Sequence, residues 1–436
     1  MRRRVAVTGL GVISPVGNDA GGFWDSLKSG RSGVGRITRF DASRLESRIA
    51  AEVKGFDPEP YIDKRDARKM ALFSQYAVAA AVQAWRDAGL GDAPVGKASP
   101  GDGPAGGATA AAASPYRPER IATVVGNGIG GIDVLLESHR KLLESGPGRM
   151  LPMTVPLMIS NEASANIAMR LGLLGPAFTA VTACASGTDA IGQALDLLRS
   201  GRCDLALAGG TEAAIAEFTL GGFLRLQALS TSYNEEPERA SRPFDKDRDG
   251  FVIGEGAAIL ALEDWEKAKA RGARIYAELA GYGASCDAYH LTAPDPEGLG
   301  GSRAIAAALE DALLAPEEVD YYNAHGTSTK INDPTETLMV KKAFGAWASS
   351  LKISSTKSMT GHCIAAAGAI EAAACVLAIA EGFVPPTINL DEPDLEAGCD
   401  LDYVPNKGVA MPLRAALSAS LGFGGHNGVL AFRRPS

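Results

Sequence analysis

Short apolar or β-branched runs alternate with longer helical patterns along this chain. The runs at 5–8, 121–125, 205–208, 257–262 and 321–324 are too short for helices, and the pattern predicts strands. The stretches 71–88, 189–199 and 368–380 predict helices. Strands and helices in alternation predict an α/β fold. The helix over 368–380 is apolar nearly all round, so it is expected to be buried on most sides. An internal echo is also present. Thr182-Ala183-Cys184-Ala185-Ser186-Gly187 and Thr360-Gly361-His362-Cys363-Ile364-Ala365 each lead into a Gly- and Ala-rich helix, with a reactive side chain where the helix begins. The echo predicts two similar halves, 1–272 and 273–436. Residues 92–118 are mostly Ala, Gly, Ser and Pro; this composition buries little apolar surface and predicts a mobile loop, an insertion without chemistry.

Composition narrows the function classes. A chain of 436 residues with 46% hydrophobic content supports a large buried core. The formal net charge of −8 gives no general attraction to nucleic acid or to an anionic membrane. No apolar run is read as approaching the roughly 18 residues that span a bilayer. The N-terminus enters a strand-like segment at once, without a signal-peptide layout, so a cytoplasmic location is expected; the alternative is a plastid-type organelle after removal of a targeting segment. None of the six cysteines forms a C-x-x-C pair, so neither a zinc site nor a redox dithiol is indicated.

Two motifs mimic known sites and fall short of them. Gly126-Asn127-Gly128-Ile129-Gly130-Gly131 fits G-x-G-x-x-G, but the acidic residue about 20 positions on is missing, so close backbone packing is the better reading. Asp245-Lys246-Asp247-Arg248-Asp249-Gly250 resembles the start of a calcium loop, yet its twelfth position is Gly256 rather than Glu. It reads as a charged turn packed near the active site.

The residues with chemistry to offer are Cys184, His325 and His362. Cys184 lies between an apolar run and a helix, where the partial positive charge of a helix N-terminus favours a thiolate. The backbone N–H at such a turn is free to donate to an oxyanion. His325 follows a strand and precedes Thr327 and Thr329; Lys357 and His362 stand five positions apart before a helix. Leu421-Gly422-Phe423-Gly424-Gly425-His426-Asn427-Gly428 is a Gly-rich loop around one aromatic ring, suited to a movable cover.

Together these motifs resemble the β-ketoacyl-acyl carrier protein synthases, and among them the elongating synthase II type of fatty acid synthesis. The likeness runs from Val7-Thr8-Gly9-Leu10-Gly11 to Asn427-Gly428 and includes Ser241-Arg242-Pro243-Phe244-Asp245 and Pro385-Pro386-Thr387-Ile388-Asn389-Leu390. The resemblance implies the thiolase fold, five α-β-α-β-α layers, usually in a homodimer. It implies that Cys184 takes the acyl group from an acyl carrier protein thioester, with the N–H groups of Cys184 and Phe423 as oxyanion hole. His325 and His362 then donate to the malonyl thioester carbonyl while carbon dioxide leaves. By the same resemblance Lys357 and Glu336 are a charged pair that orients the site. Thr327 and Thr329 hold the phosphopantetheine arm, Ile129 and Phe223 line the acyl pocket, and Phe423 is the gate. The chain needs no cofactor or metal of its own, because its substrates ride on the carrier protein. Lys64, Arg65, Arg68 and Lys69 form a basic cluster, a candidate docking patch for that acidic partner; a merely solvated face is the rival reading.

Related chemistries differ at the same positions. A thiolase or a starter synthase using coenzyme A is expected to replace one histidine. A polyketide ketosynthase keeps all three residues but usually carries Cys-Ser-Ser, where this chain has Cys184-Ala185-Ser186. A chain-length partner subunit lacks the cysteine.

Overall fold

The computed structural model describes residues 2–93 and 110–436. Ten strands form its main sheet: β1 (Val5–Ile13), β2 (Ile121–Gly126), β3 (Ala177–Ala180), β4 (Leu205–Glu212), β5 (Gly256–Asp264), β6 (Ala277–Cys286), β7 (Tyr321–Asn323), β8 (Lys352–Ser354), β9 (Ala415–Gly422) and β10 (His426–Arg433). The spatial order is β8-β7-β9-β10-β6-β1-β5-β4-β2-β3. The first five strands run β3-β2-β4-β5-β1, and the last five repeat that order as β8-β7-β9-β10-β6, parallel and antiparallel pairs included. The two sets meet at only two pairs, Ala6 with Glu278 and Val7 with Ala277.

Five helices complete the layers that matter for the site: α1 (Leu72–Asp87), α2 (Ser186–Arg199), α3 (Leu299–Ala312), α4 (Asn332–Phe344) and α5 (Ala367–Glu381). α1 covers β1 and β5 on one outer face, and α3 covers β6 and β10 on the other. Between the sheets, α2 and α5 pack on each other and on strands of both sets, giving the α-β-α-β-α layering of the thiolase fold. Strands β1, β4 and β5 are buried along their whole length, so they read as continuous apolar runs rather than alternating ones. The outer helices sit unusually close. A Cβ on Gly9 or Gly11 would lie 2.2 or 1.8 Å from a carbonyl oxygen of α1, and one on Gly281 or Gly283 would lie 2.6 or 2.2 Å from one of α3.

Three readings change in the structure. The window Ile364–Glu381 has the length and a mean hydropathy of 1.8 that a spanning helix would have, contrary to the reading that no run came near; 89% of it is buried inside the protein as the centre of the fold. In the 92–118 stretch, residues 94–109 lie outside the described residues, but both ends are anchored. Ala93, Ala110, Ala111 and Tyr116 are buried in the core beneath α1, and the Tyr116 hydroxyl bonds to buried Glu263. Small alanines suffice there because the surface they complete already exists. Finally, 421–428 is a hairpin tip more than a loop. β9 and β10 pair up to Gly422 and His426, leaving Phe423-Gly424-Gly425 at the turn, with φ of 86° and 76° at the two glycines.

Candidate active site

Cys184 is placed by a strained turn. β3 ends at Ala180, Ala183 takes φ 50°, and a single 3₁₀ turn over Ala183–Ala185 hands the chain to α2. Ser186 holds this elbow: its Oγ donates to the Ala183 carbonyl at 2.6 Å and accepts the Thr182 N–H at 2.9 Å. Gly422 lies against the turn so tightly that a Cβ there would stand 2.6 Å from the Thr182 oxygen and 3.2 Å from the Cys184 nitrogen. That approach brings the next residue in range, and the Phe423 N–H faces the Cys184 sulfur, favouring its charged form.

The two histidines arrive from the other strand set. His325 follows β7, and Glu336 of α4 fixes its backbone by accepting the N–H groups of His325 and Gly326, both at 2.7 Å, and the Tyr322 hydroxyl at 3.1 Å. His362 is held through its main chain: its N–H donates to the Val252 carbonyl at 2.7 Å, and its carbonyl accepts the Gly254 N–H at 2.8 Å. The His362 Nε2 lies 3.0 Å from the Cys184 Sγ. The two imidazole centroids are 5.3 Å apart and perpendicular. Cys184, His325 and His362 are thus one cluster, their ligand-type atoms within 4.8 Å of one another. Such an N/S trio is of the type zinc accepts.

Burial dominates the electrostatics. The Cys184 thiol is pushed up to about 12, chiefly by desolvation, against the opposing pull of the Lys357 charge and the Phe423 N–H. The thiolate expected from a helix N-terminus is therefore not the resting form, because the loss of hydration outweighs the favourable dipole. Both histidines are held well below their ordinary value, first by burial and then by the Lys357 charge. They are neutral imidazoles at pH 7, able to donate a hydrogen bond or accept a proton.

The expected pairing of Lys357 with Glu336 is corrected. Lys357 Nζ pairs with Glu371 on α5, both buried, while Glu336 is engaged with the backbone of the His325 turn. Glu371 escaped notice although it is the only acid inside an otherwise apolar run, a signal that a buried cation must be near. Burial raises Glu336 and Glu371 to about 7 each, with Lys357 opposing it in both cases.

The cluster opens into a cavity of about 410 Å³. Ile129, Phe223, Thr327, Thr329 and Phe423 all line it, as do Asp249 and Gly250 of the charged turn. That turn is locked by ions: buried Arg248 bridges Asp394 at 2.7 Å and donates to the Thr329 carbonyl at 2.9 Å. Thr327 and Thr329 hydroxyls lie 3.1 Å apart at the mouth. Phe423 leans on Phe223 (6.4 Å between centroids), Phe223 on Phe251 (5.3 Å), and Phe251 on His362 (5.2 Å). Phe251 was not singled out from sequence; nothing distinguishes it there from any core aromatic. The basic residues Lys64, Arg65, Arg68 and Lys69 do not belong to this cluster. All four are exposed around a short helix, Lys64 bridging Glu59 and Lys69 bridging Asp66. The G-x-G-x-x-G segment is packed against the protein itself, a Cβ on Gly126 meeting the Ser186 carbon at 2.3 Å.

Comparison with known proteins gives the family. Residues 2–268 match the model of the beta-ketoacyl synthase N-terminal domain, and residues 276–391 that of the C-terminal domain. The chain is 49% identical over 433 residues to the 3-oxoacyl-[acyl-carrier-protein] synthase 2 of Synechocystis sp., covering 99% of this chain and 98% of that one. A beta-ketoacyl synthase from Burkholderia phymatum superimposes with a TM-score of 0.88 at 34% identity, covering 100% of both chains. The ketosynthase of AntDE:AntF, solved as a type II PKS acyl-carrier protein in complex with its ketosynthase bound to the hexaketide, gives 0.82 at 36% identity, again over 100% of both.

Proposed function

Because this chain belongs to the beta-ketoacyl synthase family, we propose that it is a 3-oxoacyl-acyl carrier protein synthase working on Cys184, His325 and His362. The observation that carries the reading is the thiol–imidazole contact of 3.0 Å, with a second imidazole beside it, at the inner end of an apolar cavity.

The geometry supports a two-stage reaction. In the first stage His362 Nε2 accepts the Cys184 proton as the sulfur attacks an acyl thioester carbonyl. The resting thiol is too basic to ionise alone at pH 7, so this contact matters. The N–H groups of Cys184 and Phe423 receive the developing oxyanion, the C–S bond to the carrier breaks, and the departing thiolate takes a proton. In the second stage a malonyl thioester occupies the mouth, its arm beside Thr327 and Thr329. His325 and His362 donate to its carbonyl oxygen as the bond to the carboxylate breaks and carbon dioxide leaves. Two donors on one oxygen stabilise the enolate. Its carbon attacks the acyl-enzyme, a carbon–carbon bond forms, and Cys184 leaves as thiolate and is reprotonated. Ile129 and Phe223 wall the acyl chain, and Phe423 closes over it.

An acyl carrier protein is the proposed partner, with Lys64, Arg65, Arg68 and Lys69 as its docking patch. Arg65 and Arg68 make no ion pair among the described residues and offer free cations to an acidic surface. The protein is proposed to act as a homodimer in a bacterial cytoplasm, without a cofactor of its own. The test compares wild type with Cys184→Ala and Cys184→Gln, given acyl carriers of several lengths and malonyl carrier, with carbon dioxide and β-ketoacyl product followed together. Condensation by wild type and none by Cys184→Ala is expected. A wild type that forms no acyl-enzyme with any length would refute the reading in favour of a partner-subunit role.

A further inference from the structure

The two strand sets carry the same turn twice. Ala183 (φ 50°) opens the turn Ala183–Ala185 before α2, and Ile364 (φ 48°) opens the turn Ile364–Ala366 before α5. Position for position, Cys184 corresponds to Ala365, not to His362 as the sequence echo placed it. The strand ends correspond likewise: β9 ends at Gly422 and β4 at Glu212. Beside Cys184, Gly422 leaves room and the Phe423 N–H turns toward the sulfur. Beside Ala365, the Glu212 side chain fills the equivalent space.

Glu212 is fully buried, and no step above uses it. Its Oε2 accepts the N–H groups of Gly128 at 3.0 Å and Ile129 at 3.3 Å, and its Oε1 accepts from Asn127 Nδ2 at 3.2 Å. The Ala365 N–H also faces this carboxylate and favours its charged form. Backbone N–H groups converging from two segments form the nest geometry that binds anions. Both segments are walls of the acyl cavity, which Gly128, Ile129 and Ile364 line. A Cβ on Gly128 would already stand 2.8 Å from the Glu212 oxygen, so the contact has no slack.

We propose that Glu212 is a positioning residue whose carboxylate occupies an anion-binding nest, tying the acyl-pocket wall at Gly128–Ile129 to the turn that follows His362. With the carboxylate removed, the nest takes a small free carboxylate instead. Burial pushes Glu212 up to about 8 against the pull of its N–H donors, so the carboxylate fills the nest above that pH; there its charge raises the Cys184 thiol, and the rescue below is read at about pH 9. The inference rests on reading Cys184 as the acylated residue.

The experiment uses the full chain as wild type, Glu212→Ala and Glu212→Gln. Acylation of Cys184 is read by intact mass, and kcat and KM are measured across acyl lengths with increasing formate or, at matched ionic strength, chloride. Glu212→Ala is expected to lose roughly 10- to 100-fold in kcat/KM, the equivalent of one hydrogen bond to a charged group. The loss should fall unevenly across lengths, because the wall moves. Formate, and not chloride, should restore activity with a saturable dependence; Glu212→Gln should fall between. A folded Glu212→Ala that keeps the wild-type length profile, or that formate does not restore, overturns the proposal. If Glu212→Ala fails to fold, Glu212→Gln decides: an altered profile with an unchanged circular dichroism spectrum supports it, and an unaltered one overturns it. If wild type itself is not acylated, the functional reading fails and this inference falls with it; if wild type is acylated and the variants match it, only this inference fails.

Discussion

Replacing Lys357 by Met removes the cation from a fully buried pair while keeping most of its stem. Glu371 is raised to about 7 with Lys357 beside it. Below that pH it carries a proton in wild type and variant alike. Above it the wild-type carboxyl ionises against the ammonium, whereas the variant has no partner for the charge and keeps its proton. The unfolded chain, where a glutamate titrates near its ordinary 4.5, has released that proton in both. The folded variant therefore binds one proton more than its unfolded form, and its stability falls as pH rises. Relative to wild type the deficit should grow by about 1.4 kcal/mol per pH unit above about 7, or nearly 3 kcal/mol by about pH 9 on the same scale. That growth is how the cost of breaking the buried pair shows itself, because the proton the variant keeps spares it an uncompensated charge. Urea unfolding at a series of pH values measures it. The double variant Lys357→Met with Glu371→Leu has no carboxyl left to titrate, so its deficit should stop growing with pH. A Lys357→Met deficit that is flat across this range, or a double variant that keeps the slope, would refute the assignment of Glu371 as the partner.

Four further outcomes follow from the site. Alkylation of Cys184, read by peptide mapping to separate it from exposed Cys286, should rise about tenfold per pH unit without a plateau through about pH 10; a plateau near neutrality would show a resting thiolate. The histidines are held neutral well below 6.5, so they should put no acid limb on malonyl decarboxylation between about pH 6 and 8; any inflection near 7 belongs to Glu336 and Glu371 and should shift in Glu336→Gln or Glu371→Gln. The sign for stability is the reverse of Glu371: below 6.5 the unfolded chain takes up protons that the folded histidines refuse, so stability drops with falling pH, and a titration centred near 6.5 in the rate would contradict the burial argument. Glu336→Ala orphans the N–H groups of His325 and Gly326, at about 1–3 kcal/mol each, and should cut condensation far more than Cys184 acylation in paired assays. Gly187→Ala places a Cβ 2.7 Å from the Ala365 oxygen and 3.0 Å from the Ala369 nitrogen, prising α2 from α5; a loss of about 1–3 kcal/mol in urea unfolding is expected, and a variant as stable as wild type would contradict the packing.

The runs read as strands at 5–8, 121–125, 205–208, 257–262 and 321–324 lie in β1, β2, β4, β5 and β7, and the three stretches read as helices lie on α1, α2 and α5. The strands and α5 were legible because each is buried on both sides, and α1 and α2 because their few polar positions, such as Gln75, Gln83, Gln193 and Asp196, leave a continuous apolar face at helical spacing. β3, β6, β8, β9 and β10 were not: β6, β9 and β10 interleave Gly or Ser with their apolar residues, so neither an apolar run nor a clean alternation stands out; β3 is four residues long with Phe178 half-exposed, and β8 is three residues long. Edge strands of that length leave almost no periodicity to read. Within the site, Cys184, His325 and His362 stand out because their neighbours are small and their types are reactive. Glu371 and Glu336 find their partners 10 to 14 positions away and Glu212 finds its own 83 to 85 away; apart from the setting of Glu371 in an apolar run, a glutamate in sequence carries no mark of which group will meet it. The mispairing of Lys357 with Glu336 has that origin.

The repeated turn explains why one half of a nearly symmetric core holds the reacting sulfur. Both turns have a residue of positive φ at the same position, the same 3₁₀ geometry and a long helix behind them, so neither the backbone nor the helix dipole distinguishes them. What differs is the residue that ends the facing strand. At Gly422 the absent side chain leaves Cys184 open to a cavity and lets the hairpin tip bring the Phe423 N–H to the sulfur. At Glu212 a carboxyl group fills the space beside the mirror turn, accepting the N–H groups of Gly128 and Ile129 and facing that of Ala365. An open nest beside the acyl pocket would compete for the carboxylate of a malonyl group, and a closed one leaves the histidine pair as the site where that group is read. The asymmetry of the core thus resides in a glycine and a glutamate at equivalent strand ends, one leaving Cys184 on the cavity and the other filling the space beside Ala365.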